Sequence, residues 1–243
     1  MRRNPSTMDV GSGRSSGALP PRFSGDGPGE PGGSYPDYGE RLRRARLGLA
    51  VGLVPVVTLF LSFTVVYAIR QGWILGDPSS PAILSAFPHS LPWTLFLVNS
   101  AILLLSSLTV ELARRDMTRQ VALAPIRSIP GVSLGKEQAR PWLELTAGLG
   151  LLFLVGQYWA WQLLRGRGVF LSTTSGSSFV YLVTGMHAFH LLAGLGAVLY
   201  CMHCAFRGDA VEAQRIVVDV SAWFWHFLTA LWFYVLVLLL LSR

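Results

Sequence analysis

The sequence predicts an all-α polytopic membrane protein, a bundle of five transmembrane helices with a cytoplasmic N-terminus and a periplasmic C-terminus. Three observations carry that expectation. The 243 residues are 51% hydrophobic and only 14% charged, too little charge to cover a soluble domain of this length. The apolar residues gather into five runs, each near the roughly 20 helical residues that cross a hydrocarbon core. Arginine collects in alternate connections, as the positive-inside bias requires. The formal charge of +7 is therefore read as a topology signal, and no nucleic-acid partner is expected.

Residues 1–40 are rich in Gly, Pro, Ser and Arg. Such a segment cannot bury enough apolar surface to offset its ordering entropy, and disorder is expected there. Arg2 and Arg3 are followed by no apolar stretch, so the segment does not read as a signal peptide. The five-helix domain is expected over 41–243.

The first span, 47–69, begins where the run Arg41, Arg43, Arg44 and Arg46 stops. Pro55 lies inside it and removes a backbone donor, which predicts a kink. The second span, 91–113, opens at Pro92-Trp93 and closes at Glu111, Arg114 and Arg115. A basic loop leads to the third, 142–164, and then come 178–203 and 219–241. Trp73, Trp93 and Trp142 stand near span ends, as interfacial anchors do. Cys201 and Cys204 form a lone CxxC on a presumed membrane helix and read as small apolar residues.

Polar residues inside the spans are the candidates for function, because they are costly in hydrocarbon. His187 and His190 lie three apart in the fourth span and share a helix face. His226 lies in the aromatic string AWFWHF of the fifth. At ~1.5 Å per residue, His190 and His226 fall at similar depth on consecutive antiparallel helices, where they could share a polar network. Three readings stand open. Two imidazoles could ligate a haem, or three a metal. The histidines could relay protons. They could also bond nearby Thr184, Ser221 or Thr229 and lock helix packing. Ala193, Gly194, Gly196 and Ala197 form a small-residue patch of the kind that lets helices approach closely. Gln157 in the third span reads as an interhelical hydrogen bond. Glu111, Glu144 and Asp219 sit at the inner ends of spans, where Arg114, Arg115 and Arg140 are expected partners. They read as caps and ion pairs or, more sharply, as a proton-collecting rim. No P-loop, HExxH or GxSxG motif and no mid-membrane acid pair occurs, so no catalytic residue is expected in this chain.

The last two spans carry a family resemblance. SSFVYLVTGMHAFHLLAG resembles the GST-F-F-x-x-TG-F-H-G-L-H-x-x-x-G signature of subunit III of haem–copper oxidases. AWFWHFLTALWFYVLVLLLL is similar to that family's A-W-Y-W-H-F-x-D-x-x-W closing helix, and GLLFLVGQYWAWQ to its G-L-x-F-x-x-x-Q helix. The resemblance covers residues 47–243 in architecture and is specific over 148–241. It matches the shorter bacterial type, without the first two helices of the seven-helix form. It places the family's conserved positions on Gln157, Thr184, Gly185, His187, His190, Gly194, Trp223, Trp225, His226, Phe227 and Trp232.

The resemblance implies an accessory, non-redox subunit of a proton-pumping cytochrome c oxidase in the aerobic respiratory chain of a bacterial plasma membrane. It implies no cofactor or metal in this chain, with haems and copper held by partner subunits. It also implies bound phospholipid, packing on subunit I beside subunit II and other subunits, and cytochrome c as donor to the complex. The sequence departs from the family where Pro55 replaces an embedded glutamate and Thr229 an acid. Asp219 replaces a glutamate, and Ala160 and Trp161 stand where an acid follows the glutamine. The alternatives are a small haem-binding electron carrier using His187 or His190 with His226, and an assembly helper.

Overall fold

The computed structural model describes residues 38–70, 92–127, 140–172, 175–207 and 211–241, and each of these segments is built on one long helix. The helices are α1 (Tyr38–Arg70), α2 (Trp93–Arg127), α3 (Arg140–Gly166), α4 (Ser175–Arg207) and α5 (Val211–Leu241). All five are long and apolar enough to cross a membrane, and the chain is a multi-pass membrane protein. Residues 1–37, the segment with Trp73 and the loop between α2 and α3 lie outside the described residues.

The helices outrun the predicted spans. α1 begins at Tyr38, so the arginine run 41–46 is helical, and α2 continues past Glu111 to Arg127. Apolar length marks only the part of a helix that fits hydrocarbon. A helix that already satisfies its backbone can continue into the interface at little cost. α1 runs through Pro55 without a break, so the chain tolerates the lost backbone bond there.

The ends follow from local chemistry. Pro92 precedes α2, and its carbonyl accepts from the Leu95 and Phe96 amides at 3.0 and 3.1 Å. Pro141 occupies the first turn of α3, where its missing N–H costs nothing. α3 closes with Gly168 at φ 77°. The Val169 amide donates to the Leu164 carbonyl and the Gly168 amide to Arg165, both at 3.0 Å. This is a Schellman turn, and its left-handed position suits glycine. The Tyr181 hydroxyl then donates to the Val169 carbonyl at 2.9 Å, tying the turn to α4.

α2, α3, α4 and α5 form a ring in which each helix touches the next and α5 returns to α2, while α1 leans on the outside of α4 and α5. The core is filled by Phe96, Leu103, Phe153, Leu191, Trp225, Leu228 and Trp232. Small hydroxyl residues bring α2 close to its neighbours. Ser106 Oγ donates to the Thr146 carbonyl at 3.2 Å, and Thr109 and Thr146 hydroxyls meet at 2.8 Å. Trp225 is seated between two glycine notches. A Cβ on Gly150 of α3 would lie 2.8 Å from its Cη2, and one on Gly194 of α4 would lie 3.4 Å from its Cε3. Of the small-residue patch, Gly194 thus receives α5, whereas Ala193 and Gly196 are exposed.

Candidate functional site

Two polar clusters emerge, one at each end of the bundle. The first lies at the end where α4 leads to α5 and joins three helices. Asp219, 6% exposed, accepts from Arg46 Nε and Nη2 of α1 at 2.8 and 2.9 Å, and from Arg114 Nη1 of α2 at 3.3 Å. Arg114 also donates twice to Glu111, at 2.7 and 2.8 Å, and Arg115 donates to Glu111 at 2.9 Å. His226 closes the chain: its Nδ1 lies 2.6 Å from Ser107 Oγ and its Nε2 3.4 Å from Glu111 Oε2. The cluster runs Arg46–Asp219–Arg114–Glu111–His226–Ser107 across α1, α5 and α2. Bidentate guanidinium–carboxylate pairs of this kind fix orientation as well as charge. Of the acids predicted to form a rim, Glu111 and Asp219 are brought together. Glu144 stands on an exposed face of α3 and joins no ion pair among the described residues. The side chain of Arg140, one expected partner of the acids, lies outside the described residues.

The histidines divide differently from the depth argument. His190 and His226 share no hydrogen bond among the described residues. His190 Nδ1 donates to its own helix, to the Met186 carbonyl at 2.7 Å, and its ring lies 5.9 Å from Phe60 of α1. His226 turns instead to α2. Depth along a helix says nothing of azimuth, and azimuth decides the partner. The i, i+3 offset likewise separates the α4 pair: His187 enters the four-helix core and His190 faces α1. The hydroxyls expected to serve the histidines are also engaged elsewhere. Thr184 accepts from Trp161 Nε1 at 3.1 Å, Ser221 accepts from Cys201 Sγ at 3.3 Å, and Thr229 donates to the Trp225 carbonyl at 3.0 Å.

The second cluster lies toward the α3–α4 turn. His187 is 0% exposed; its ring centroid is 5.0 Å from that of Trp232 and 5.8 Å from that of Phe153. Trp232 donates its indole N–H to Ser100 Oγ at 3.0 Å. Gln157 and Asn99, each 1% exposed, complete the group, and Asn99 Oδ1 fills the place where a Cβ on Gly156 would stand. Asn99 Nδ2, both ends of Gln157 and both ring nitrogens of His187 have no hydrogen-bond partner in the protein. The interhelical bond expected of Gln157 is not made within the protein. An orphaned buried polar atom costs about 1–3 kcal/mol, so five would cost about 5–15 kcal/mol, the whole net stability of a typical domain.

The remaining candidates are structural in placement. Trp225 is buried between α3 and α4, whereas Trp223 is 50% exposed beside α1. Cys201 and Cys204 are free, buried thiols. Among the described residues no group of three His, Cys, Asp or Glu is placed to hold a metal. Sequence reasoning missed Asn99, Ser107 and Thr146 as polar contacts and read Arg46 only as a topology marker. Asn99 was open to the argument applied to Gln157, being an amide inside an apolar run. Nothing local signals that Arg46 pairs with a residue 173 positions away.

Fold and site together define a polytopic helical membrane protein whose intramembrane histidines serve, in part, to join helices. No family model matches the chain. Among curated proteins it is similar to "Cytochrome c oxidase subunit 3" of Corynebacterium diphtheriae, 36% identical over 94 residues, 38% of this chain and 45% of that protein. A "Probable cytochrome c oxidase subunit 3" of Mycobacterium tuberculosis is 29% identical over 93 residues, 46% of its length. "Cytochrome c oxidase subunit 3" of Drosophila yakuba is 25% identical over 193 residues, 78% of this chain and 66% of that protein. The chain spans about half the length of the first curated relatives it matches. These relatives, from distant organisms and under one name, support the cytochrome c oxidase subunit 3 family for this chain.

Proposed function

We propose that this chain is an accessory, non-redox subunit III of a proton-pumping haem–copper terminal oxidase in a bacterial plasma membrane. It packs on subunit I, beside subunit II and the other subunits, with its N-terminus in the cytoplasm and its C-terminus in the periplasm. Haems and copper belong to its partners, and cytochrome c donates electrons to the complex. The observation that carries the reading is the shared name of its relatives combined with where the histidines fall. His226 is held by α2, and His190 by its own helix. His187 is enclosed by Phe153 and Trp232.

Lipid binding is supported by an apolar groove of about 580 Å³ between α1 and α5. Leu49, Leu53, Trp223 and Phe227 line it, and Arg46 and His226 are also in its wall. The groove suits an acyl chain with an anionic headgroup near Arg46. A part in proton delivery is supported by the open cleft of Glu111, Arg114, Arg115, Thr118 and Arg119, which places a carboxylate among arginines at one end of the bundle.

Co-purification tests the reading: a stable stoichiometric complex with a large haem-containing subunit is expected. The isolated chain should show no Soret band. A stoichiometric haem band abolished by His226→Ala overturns the accessory-subunit reading, and purely transient association during biogenesis favours a helper. The assembled oxidase without this chain should inactivate faster per turnover. Neutralising Glu111, Glu144 and Asp219 together should slow proton uptake, and an unchanged rate removes the rim from the proposal.

A further inference from the structure

Asn99, Gln157 and His187 belong to three different helices, yet their neighbours set them side by side. Phe153 of α3 meets the His187 ring, and Trp161 of α3 meets Thr184. Gln157 lies one turn from each on the same α3 stripe, so it faces α4 between Thr184 and His187. Asn99 of α2 presses on the backbone at Gly156, the residue before Gln157. All three side chains are at least nine-tenths buried.

We propose that Asn99, Gln157 and His187 form a buried hydration site that binds ordered water within the four-helix core. The orphaned atoms define the ligand. Two amide NH2 groups and the one N–H of a neutral imidazole need acceptors, whereas Gln157 Oε1 and the second ring nitrogen need donors. Water is the small neutral ligand that offers both, and it typically bridges two to four such groups. His187 is the only ionisable side chain of the three, and among the described residues no group of three His, Cys, Asp or Glu is placed to hold a metal. Aromatic rings flank the group: Phe96 and Phe153 each pack edge to face on Trp232, whose ring centroid lies 5.0 Å from that of His187. The Trp232 N–H and the Trp161 N–H are already taken by Ser100 and Thr184. Water here would join α2, α3 and α4.

X-ray radiolytic labelling of the full-length chain in lipid nanodiscs, read by mass spectrometry, tests this. Hydroxyl radicals formed at a bound water oxidise adjacent side chains that bulk solvent does not reach. Phe153 and His187 should be oxidised several-fold more than the buried Phe60, and the signal should fall to the Phe60 level in Asn99→Leu/Gln157→Leu. Labelling of Phe153 and His187 at the Phe60 level in the wild type overturns the proposal. So does equal labelling of wild type and variant. Unfolding of the single variant Gln157→Leu gives an independent arm. A hydrated site makes it less stable than wild type, because the water loses partners; a dry site makes it more stable, because orphaned groups are removed.

Discussion

A single methyl group at Gly150 probes the seating of Trp225 most directly. In Gly150→Ala the new Cβ would lie 2.8 Å from Trp225 Cη2 and 3.0 Å from Cζ2. Carbon atoms settle at about 3.5–4.0 Å, so the indole must retreat by roughly 0.7 Å. It has little room to do so. Its opposite edge already faces Gly194, and Leu228 Cδ1 crowds the same notch. The ring is rigid and fully buried, so the strain passes to α4 or α5. Overpacking of this kind costs about 1–3 kcal/mol. Gly148→Ala on the same helix is the control, because nothing lies within 4 Å of its Cβ. Alanine there should gain up to about 1 kcal/mol in helix propensity. Unfolding of the purified chain by SDS in mixed micelles, followed by far-UV circular dichroism, should separate the variants by about 1–4 kcal/mol. Equal stability of the two would refute the seating of Trp225 between the glycine notches.

Other perturbations address the attachment of α1 and the histidine cluster. Asp219→Asn removes the carboxylate shared by Arg46 and Arg114. Solvent around the arginines moderates the loss to about 1–3 kcal/mol, and spin labels at Leu47 and Phe206 should report a broader distance distribution. Tyr234→Phe removes the 2.6 Å bond to Thr64 and should cost about 0.6–1.7 kcal/mol in the same SDS assay. Gly156→Ala displaces Asn99; it should destabilise clearly more than Gly194→Ala, whose nearest clash, at 2.9 Å, is with the flexible end of Leu228. His226→Gln keeps a polar group near Ser107 and Glu111 and should be better tolerated than His226→Leu, which leaves Glu111 with its arginines and Ser107 without the imidazole.

Much of the architecture was legible because hydrophobic length is a local property. Five apolar runs became five helices, and Pro92 and Gly168 mark ends by chemistry that acts within a few residues. Asp219, Glu111 and Arg114 were recognisable as an ionic group because they stand where apolar runs stop. His190 turns to its own helix and His226 to α2 for a definite reason. Rise per residue gives depth, but a change of one residue turns the side chain by 100°. Sequence order does not say which neighbour waits at that angle.

The chain by itself determined that it would be helical, that it would cross a membrane and which polar residues would be carried into hydrocarbon. Each follows from the cost of exposing backbone and charge to lipid, which is set residue by residue. Only the tertiary structure decided the ring of α2 to α5 with α1 outside it. Only it separated His187 from His190, joined Arg46 to Asp219, and set Asn99 against Gly156 and His187 against Phe153. Those outcomes depend on helix azimuth and on small residues that admit a neighbour, and both become visible only when the helices pack.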